Sequence, residues 1–294
     1  LTAFANFFAS AIRLTAPIAL GTLACTVSER AGVINIGIEG TMLFSGFVAA
    51  VSTFYTNSPW IGLLCGCLSG VLISAILGIL AIYCNGQQIV IGIGINLFGP
   101  GLAYMLMRAL WDTTGISPWI IGFKNLEIPV IKNIPILNTM FSGYSVCIYL
   151  GILAVIIMQY LLYKTAWGLR VRSVGENPHA VATLGINAYR LRMFAVMLGG
   201  FFAGMAGGVM CLSSANVFVN DMSAGSGFMA FAANQFGHWS PVGGYFATLL
   251  FGAMSAFRMR LQSFGVANPM HIRLLYRKYV KNTPVMIQKA SKMS

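Results

Sequence analysis

Charged residues are scarce in this chain, and acidic ones are the scarcest. Only 8% of the 294 residues are charged, with 18 Lys or Arg and six Asp or Glu, whereas a soluble domain carries about 25% charged residues. Such a chain cannot cover its surface with polar groups, while 57% hydrophobic residues and a mean hydropathy of +0.79 suit lipid. The composition therefore predicts an integral membrane protein.

Groupings of catalytic or metal-binding side chains are also missing from the sequence. His179, His238 and His271 lie in separate segments, and the six cysteines form no C-x-x-C pair. Glu176 stands three residues before His179, but a metal site needs further ligands and the sequence offers none nearby. Gly225–Gly227 supplies only part of a G-x-S-x-G motif, and no phosphate-binding glycine loop occurs. We therefore expect a chain that is not an enzyme, with no catalytic residue, metal or cofactor.

The net charge of +12 arises from basic residues between the apolar runs and in the C-terminal stretch. This distribution is typical of the positive-inside rule rather than of nucleic-acid binding. The connection 164–192 is the most biased, because it holds five basic residues against the single acid Glu176; they are Lys164, Arg170, Arg172, Arg190 and Arg192. We expect this connection in the cytoplasm, and counting back through the apolar runs places the loop 111–145 outside.

Apolar runs long enough to cross about 30 Å of hydrocarbon recur along the chain. Lipid offers no partner for a free backbone group, so each run is predicted to be a helix. The fold class is thus an all-α integral membrane protein, a polytopic bundle of about seven to eight spans in residues 1–257, followed by a basic tail at 258–294. The runs lie at 6–27, 31–52, 59–82, 88–110, 146–163, 191–212 and 241–257, with a shorter candidate at 226–237.

Two of these runs carry small residues at a spacing of four, which places them on one face of a helix. A glycine face allows the backbone of a second helix to approach closely. Packing within one bundle is favoured over a subunit interface, although the spacing is compatible with both. The glycines concerned are Gly62, Gly66, Gly70 and Gly78 in the third run and Gly200, Gly204 and Gly208 in the sixth.

Polar side chains interrupt two of the apolar runs. The stretch SERAGVINIGIEGTMLFSGF, Ser28–Phe47, holds Asn35 and, one helical turn later, Glu39, while Asn96 lies in IVIGIGINLFGPG. Glycine-interrupted segments with polar groups at depth are typical of a substrate path built from discontinuous or re-entrant helices. For Asn35 and Asn96, a hydrogen bond that joins two helices is as good an explanation as a place in the substrate path. For Glu39, a place in the substrate path is favoured over a structural role. An ion-coupled carrier or channel would need more buried ionisable groups.

A short helix is predicted in the basic connection over His179–Leu184, within VGENPHAVATLGI at Val174–Ile186. Asn177 is suited to cap it, Pro178 lies in its first turn, and Gly185 is a good C-terminal stop. A helix of under three turns is marginal in water by itself. We therefore expect it to dock against a partner.

Three stretches together resemble a known family: Ser28–Phe47, Val174–Ile186, and MSAGSGFMAFAANQFGHWSPVGGYFATLLFG at Met222–Gly252. They look like the permease subunits of bacterial ABC importers for simple sugars, branched-chain amino acids and nucleosides. The motif SERAGVINIGIEG is most similar to the nucleoside-type permeases, with the sugar and branched-chain amino acid types as alternatives. The resemblance covers the chain from about Leu14 to Gly265.

The resemblance implies a multi-pass protein of the bacterial cell (inner) membrane, surrounded by its lipids and working with other proteins. These are a cytoplasmic ATP-binding subunit, a second related permease or a second copy of the chain, and an extracytoplasmic substrate-binding lipoprotein. The short helix resembles the coupling helix of the family. The residues that would contact the ATP-binding subunit are Gly175, Glu176, Asn177, Ala180 and Gly185. Similar permeases continue into one more span, which the tail 258–294 lacks.

Overall fold

The computed structural model describes residues 2–113, 115–123, 125–126 and 143–263. Within these ranges the chain is almost entirely helical, and the single pair of strands, β1 at Asn125–Leu126 and β2 at Tyr144–Ser145, is antiparallel. Two short π-helical turns, Ile79–Tyr83 and Met210–Ala215, prolong the third and eighth helices. The helices are α1 (Thr2–Arg30), α2 (Ile38–Thr56), α3 (Pro59–Gly78), α4 (Gln88–Trp111), α5 (Val146–Lys164), α6 (Ala166–Glu176), α7 (Pro178–Thr183), α8 (Ala188–Val209), α9 (Ser226–Phe236) and α10 (Pro241–Ser263).

Six helices of the described ranges are long and apolar enough to cross a membrane. The predicted all-α polytopic class is therefore confirmed. The remaining two apolar runs of the sequence, at 226–237 and 241–257, fold as α9 and α10. The six segments are Phe7–Arg30, Ile38–Thr56, Pro59–Tyr83, Gln88–Trp111, Val146–Lys164 and Ala188–Ser213.

Helix α8 lies at the centre of the bundle and packs against α1, α2 and α3. Glycines on α3 and α8 face each other at this crossing: a side chain at Gly70 would collide with the backbone of Gly200 and Gly204, and one at Gly66 would meet Ala49 of α2. Lipid gives no hydrophobic driving force for such packing, so close van der Waals contact has to supply it. Of the remaining predicted packing glycines, Gly62 faces Thr53 of α2, Gly78 faces Met193 of α8, and Gly208 faces Leu63 of α3.

The second helix begins later in the chain than the apolar run that predicts it. Residues 31–37 are not helical, and α2 starts at Ile38. Ile38 packs beside Gly21, in the middle of the membrane-crossing part of α1. Since Gly21 precedes the end of α1 at Arg30 by nine residues, the segment returns along α1 by about 13 Å. We call residues 31–37 the break.

Helix α9 is also shorter than a membrane is thick. Ala230 lies beside Gly21 of α1, and Asn234 accepts a hydrogen bond of 2.7 Å from the hydroxyl of Thr26. Helix α9 therefore follows the second half of α1 in the same direction. The start of α9 and the start of α2 both lie at the level of the middle of α1, as expected for discontinuous or re-entrant helices.

At the other end of α8, the described part of the loop 111–145 packs onto the chain that follows it. The N–H of Ser117 donates to Phe218 O at 2.9 Å, and the N–H of Ile120 donates to Asn216 O at 3.0 Å. The buried ring of Phe218 lies 5.4 Å from that of Phe47. Residues 114, 124 and 127–142 of this loop lie outside the described residues, as do residues 264–294 of the predicted tail.

Candidate functional site

Asn96, in the middle of α4, makes one hydrogen bond to the break and one to the first turn of α2. Its Oδ1 accepts from the N–H of Gly40 at 2.8 Å, and its Nδ2 donates to Ile36 O at 2.9 Å. Gly92 and Gly99 flank Asn96 on α4, and a side chain at either would collide with the backbone of residues 36–40. Asn96 thus satisfies backbone groups that the interrupted helix leaves free, which is a requirement at membrane depth.

Glu39 joins the starts of two helices. It lies in the first turn of α2, is only 8% exposed, and accepts from the N–H of Gly225 at 2.8 Å (Oε1) and from the N–H of Gly227 at 2.5 Å (Oε2). Gly227 has to be glycine, because a side chain there would collide with the backbone of Glu39. The carboxylate therefore lies at the positive ends of both the α2 and the α9 dipole.

Asn35 has a different environment from the other two polar side chains. It is 0% exposed, and neither its Oδ1 nor its Nδ2 has a hydrogen-bond partner among the described residues. Val33 is buried as well, whereas Ile34 between them is exposed, so the side chains of the break alternate between the inside and the outside of the bundle. A buried amide without partners costs roughly 1–3 kcal/mol of stability.

The start of the break is attached to α6 and α8. Arg192 of α8 donates from Nε to Ala31 O at 3.1 Å and from Nη2 to Gly32 O at 2.6 Å. Gly175, near the end of α6, packs against the backbone of Arg30 and Gly32 so closely that any side chain at position 175 would collide with it. Gly175 therefore faces the interior of the protein, unlike the four other predicted coupling residues.

The charged pair before the break binds the turn between α9 and α10. Glu29 Oε2 accepts from Asn234 Nδ2 at 2.9 Å, from Gln235 Nε2 at 3.2 Å and from Trp239 Nε1 at 2.5 Å. Arg30 donates from Nε to Trp239 O at 2.7 Å. The end of α1, the break and the α9–α10 turn are thus fixed to one another.

The predicted short helix in the basic connection is confirmed as α7, Pro178–Thr183. The side chain of Asn177 caps it by accepting from the N–H of Ala180 at 3.1 Å, and Gly185 follows it with φ +76°. Val181 is buried against α6 and α8. Glu176, Asn177, Ala180 and Gly185 are exposed, so α7 is anchored on one side and open to solvent on the other.

The structure thus brings Asn35, Glu39 and Asn96 together around the break, while the predicted packing glycines of α3 and α8 contact residues of α2, α3 and α8 rather than these three side chains. Sequence reasoning missed Gln88, whose Oε1 accepts from the N–H of Ile34 at 2.8 Å, and Arg192, which had been counted only as a loop charge. No local signal marks either residue, because both contacts depend on how distant helices cross. In the ranges the structure describes, no three His, Cys, Asp or Glu side chains form a metal-binding group.

Comparisons with known proteins give a consistent set of relatives. A family model described as "Branched-chain amino acid transport system / permease component" matches residues 7–276. The guanosine ABC transporter permease protein NupQ of Bacillus subtilis is 36% identical over 246 residues, 81% of this chain and 76% of that protein. The nucleoside ABC transporter permease protein NupC of Lactococcus lactis is 34% identical over 248 residues, 82% and 78% of the two chains. The putative glucose ABC transporter permease protein TsgC13 of Haloferax volcanii is 31% identical over 252 residues, which are 84% of this chain and 75% of that protein. No solved structure matches the chain.

Proposed function

Because the chain belongs to the family of permease components of branched-chain amino acid transport systems, we propose that it carries nucleosides inward as one permease of an ATP-driven importer. The resemblance seen in the sequence is confirmed at the family level. The chain is accordingly a multi-pass membrane subunit of an ABC transporter that works with an ATP-binding subunit, and it is a transport component rather than an enzyme.

The choice of nucleosides rests on the relatives. Those named for guanosine and for nucleosides are 36% and 34% identical, and the one named for glucose is 31% identical. A sugar or a branched-chain amino acid is therefore the alternative substrate of the same kind of transporter. An ion-coupled carrier is less favoured, since the two acids near the break are both engaged within the fold: Glu39 accepts from backbone N–H groups, and Glu29 accepts from the side chains of the α9–α10 turn.

The observation that carries a transport role is the break itself. An unwound stretch at mid-bundle, lined by polar side chains, is where broken-helix transporters bind their substrates. In our proposal the path runs beside residues 31–37, with Asn35, Glu39 and Asn96 as its polar residues. Glu39 and Asn96 shape the path by fixing α2 to α9 and to α4.

We further propose that residues 164–192 face the cytoplasm and that the exposed side of α7 contacts the ATP-binding subunit through Glu176, Asn177, Ala180 and Gly185. Gly175 transmits this contact to the break by its packing against Gly32. A second permease or a second copy completes the path, a lipoprotein delivers the substrate outside, and the assembly lies in the inner membrane of a bacterium. Residues 1–257 form the permease domain, and 258–294 form a tail.

Reconstitution tests this proposal. The chain is placed in proteoliposomes with its ATP-binding subunit, partner permease and binding protein, and uptake of radiolabelled guanosine, glucose and leucine is measured with ATP inside and outside. We expect guanosine uptake and guanosine-stimulated ATP hydrolysis, both abolished when the P-loop lysine of the ATP-binding subunit is replaced. Uptake that persists without the ATP-binding subunit would contradict the mechanism, and uptake of glucose or leucine alone would contradict the substrate.

A further inference from the structure

The three polar side chains around the break differ in how their hydrogen-bonding groups are used. Both oxygens of Glu39 and both polar atoms of the Asn96 amide are engaged by backbone groups. The amide of Asn35 has two N–H donors and an accepting oxygen, and none of them has a partner among the residues that the structure describes. Glu39 and Asn96 are therefore accounted for by the fold, and Asn35 is not.

The unpaired amide of Asn35 lies in a segment whose backbone is otherwise well held. The backbone on either side is held, at Ile34 by Gln88 and at Ile36 by Asn96. A fully buried amide without partners is rare in proteins because it loses its hydration without compensation. A group that costs stability in one conformation and lies at the centre of an otherwise well-bonded segment is expected to have its partner in another conformation.

The chain around Asn35 permits such a change. Gly32 stands three residues before it and already has φ +77°, and Gly37 stands two residues after it. Glycines on both sides allow large changes of φ and ψ at low cost, which is the property of a hinge. Because neighbouring side chains of the break alternate in direction, a rotation of this short segment that releases its hydrogen bonds to Gln88 and Asn96 would exchange the outward position of Ile34 for that of Asn35.

From these observations we propose that Asn35 is the substrate-binding amide of the path, sequestered in the conformation seen here and presented to the substrate in another. A carboxamide offers a donor beside an acceptor, which matches a purine edge that presents an acceptor beside a donor. The inference rests on the proposed transport of nucleosides, and it assigns recognition of the base to this one side chain. Glu39 and Asn96 are positioning residues that hold the segment from which Asn35 acts.

The test compares the same substitution at two asparagines, Asn35 within the break and Asn96 of α4, which bonds to it. Leu replaces Asn with nearly the same shape and no polar group, so Asn35→Leu removes an unpaired amide, while Asn96→Leu removes two hydrogen bonds. We expect Asn35→Leu to unfold at the wild-type Tm or above it in the assembled transporter, and to raise the KM for guanosine uptake at least tenfold. Asn96→Leu, the matched control, should lower the Tm.

Each other outcome decides against the proposal in a distinct way. A Tm of Asn35→Leu that falls as far as that of Asn96→Leu means that the Asn35 amide is bonded in the fold, and a wild-type KM means that it does not touch the substrate. A lowered maximal rate at unchanged KM also overturns the binding role. If the wild-type transporter takes up no nucleoside at all, the proposed substrate is wrong, and the comparison of Tm values still decides whether the Asn35 amide is unpaired.

Discussion

Glu39 illustrates how a single carboxylate in a membrane helix takes a structural role. A deep acid in a transporter suggests ion coupling or substrate contact, but both oxygens of this one accept from the backbone at the start of α9. A hydrogen bond to a charged group contributes roughly 1.5–3 kcal/mol, more than a neutral one. The geometry therefore favours a role in joining α2 to α9, and it leaves substrate contact to another side chain.

The first prediction concerns the variant Glu39→Gln. The amide nitrogen of Gln would face a backbone N–H, and the negative charge at two helix N-termini would be lost, so we expect the Tm of the isolated permease to fall by several degrees. Transport by the folded fraction should keep the wild-type KM. Glu176→Gln, which changes an exposed carboxylate, serves as the control and should leave the Tm unchanged. An altered KM at wild-type Tm would instead identify Glu39 as a substrate contact.

At the level of single helices, α7 combines an anchored side with an open one. Its cap at Asn177 and the burial of Val181 explain how six residues remain helical, since so short a helix is unstable in isolation. Apart from the capping residue Asn177, its exposed residues contribute little to the fold of the chain itself. Substitutions there are expected to affect assembly rather than stability.

The second prediction follows for Glu176→Ala. Loss of an exposed side chain typically changes stability by under about 0.5 kcal/mol, so the Tm of the isolated permease should stay constant. Copurification of the ATP-binding subunit should fall, because the proposed contact loses a charge. Lys164→Ala, at the exposed end of α5 and outside the proposed contact, is the control. Equal recovery of the ATP-binding subunit with Glu176→Ala would rule out the coupling role.

The third prediction tests the crossing of α3 and α8 with a single methyl group. A Cβ at Gly70 would collide with the backbone of Gly200 and Gly204, whereas a Cβ at Gly94 of α4 meets nothing within 4 Å. Gly70→Ala should therefore force the helices apart and lower both the Tm and the yield in the membrane. Gly94→Ala should be neutral or stabilising by up to about 1 kcal/mol, because alanine favours a helix over glycine. If the two substitutions changed the Tm and the yield equally, the crossing of α3 and α8 would not depend on close backbone contact at Gly70.

Individual helices were largely predictable from the sequence, and the break was not. The prediction for α4 agrees within one residue at each end, because Gln88 and Trp111 bound an apolar run that stays helical through Asn96 and Pro100. The second span was predicted to begin at residue 31, since Ala31, Val33 and Ile34 continue the apolar pattern. They lie in the break, where Arg192 bonds to Ala31 and Gly32, Gln88 bonds to Ile34 and Asn96 bonds to Ile36. No hydropathy pattern contains such tertiary contacts. The sequence thus identified Asn35, Glu39 and Asn96 as candidates, but their separate roles required the structure.

For the molecule as a whole, one native residue reports on which side faces the cytoplasm. Cys84 follows α3 and is exposed, whereas Cys25, Cys67, Cys147 and Cys211 are buried. The ring of Tyr83 beside it stacks on that of Tyr189 at the start of α8, with centroids 6.0 Å apart. Cys84 therefore lies on the same side as the basic connection 164–192.

The fourth prediction uses this cysteine. If the basic connection is cytoplasmic, a membrane-impermeant maleimide should label the protein in inside-out vesicles and not in intact cells. Cys84→Ser should remove most of that signal, while Cys65, which is only partly exposed, accounts for any remainder. Labelling of Cys84 in intact cells would reverse the whole topology, including the external position of residues 111–145.

The packing of Gly175 on Gly32 has a consequence for how quickly the protein can respond. Gly32 precedes Asn35 by three residues. A displacement of the end of α6 is therefore transmitted to the backbone of the break through the single contact between Gly175 and Gly32. No long helix has to tilt or slide before the segment moves. Under the proposed coupling role, the step changes the torsion angles of a few residues flanked by glycine. A side chain at position 175 would collide with the backbone of Arg30 and Gly32, so it should displace the break and slow the turnover of the transporter.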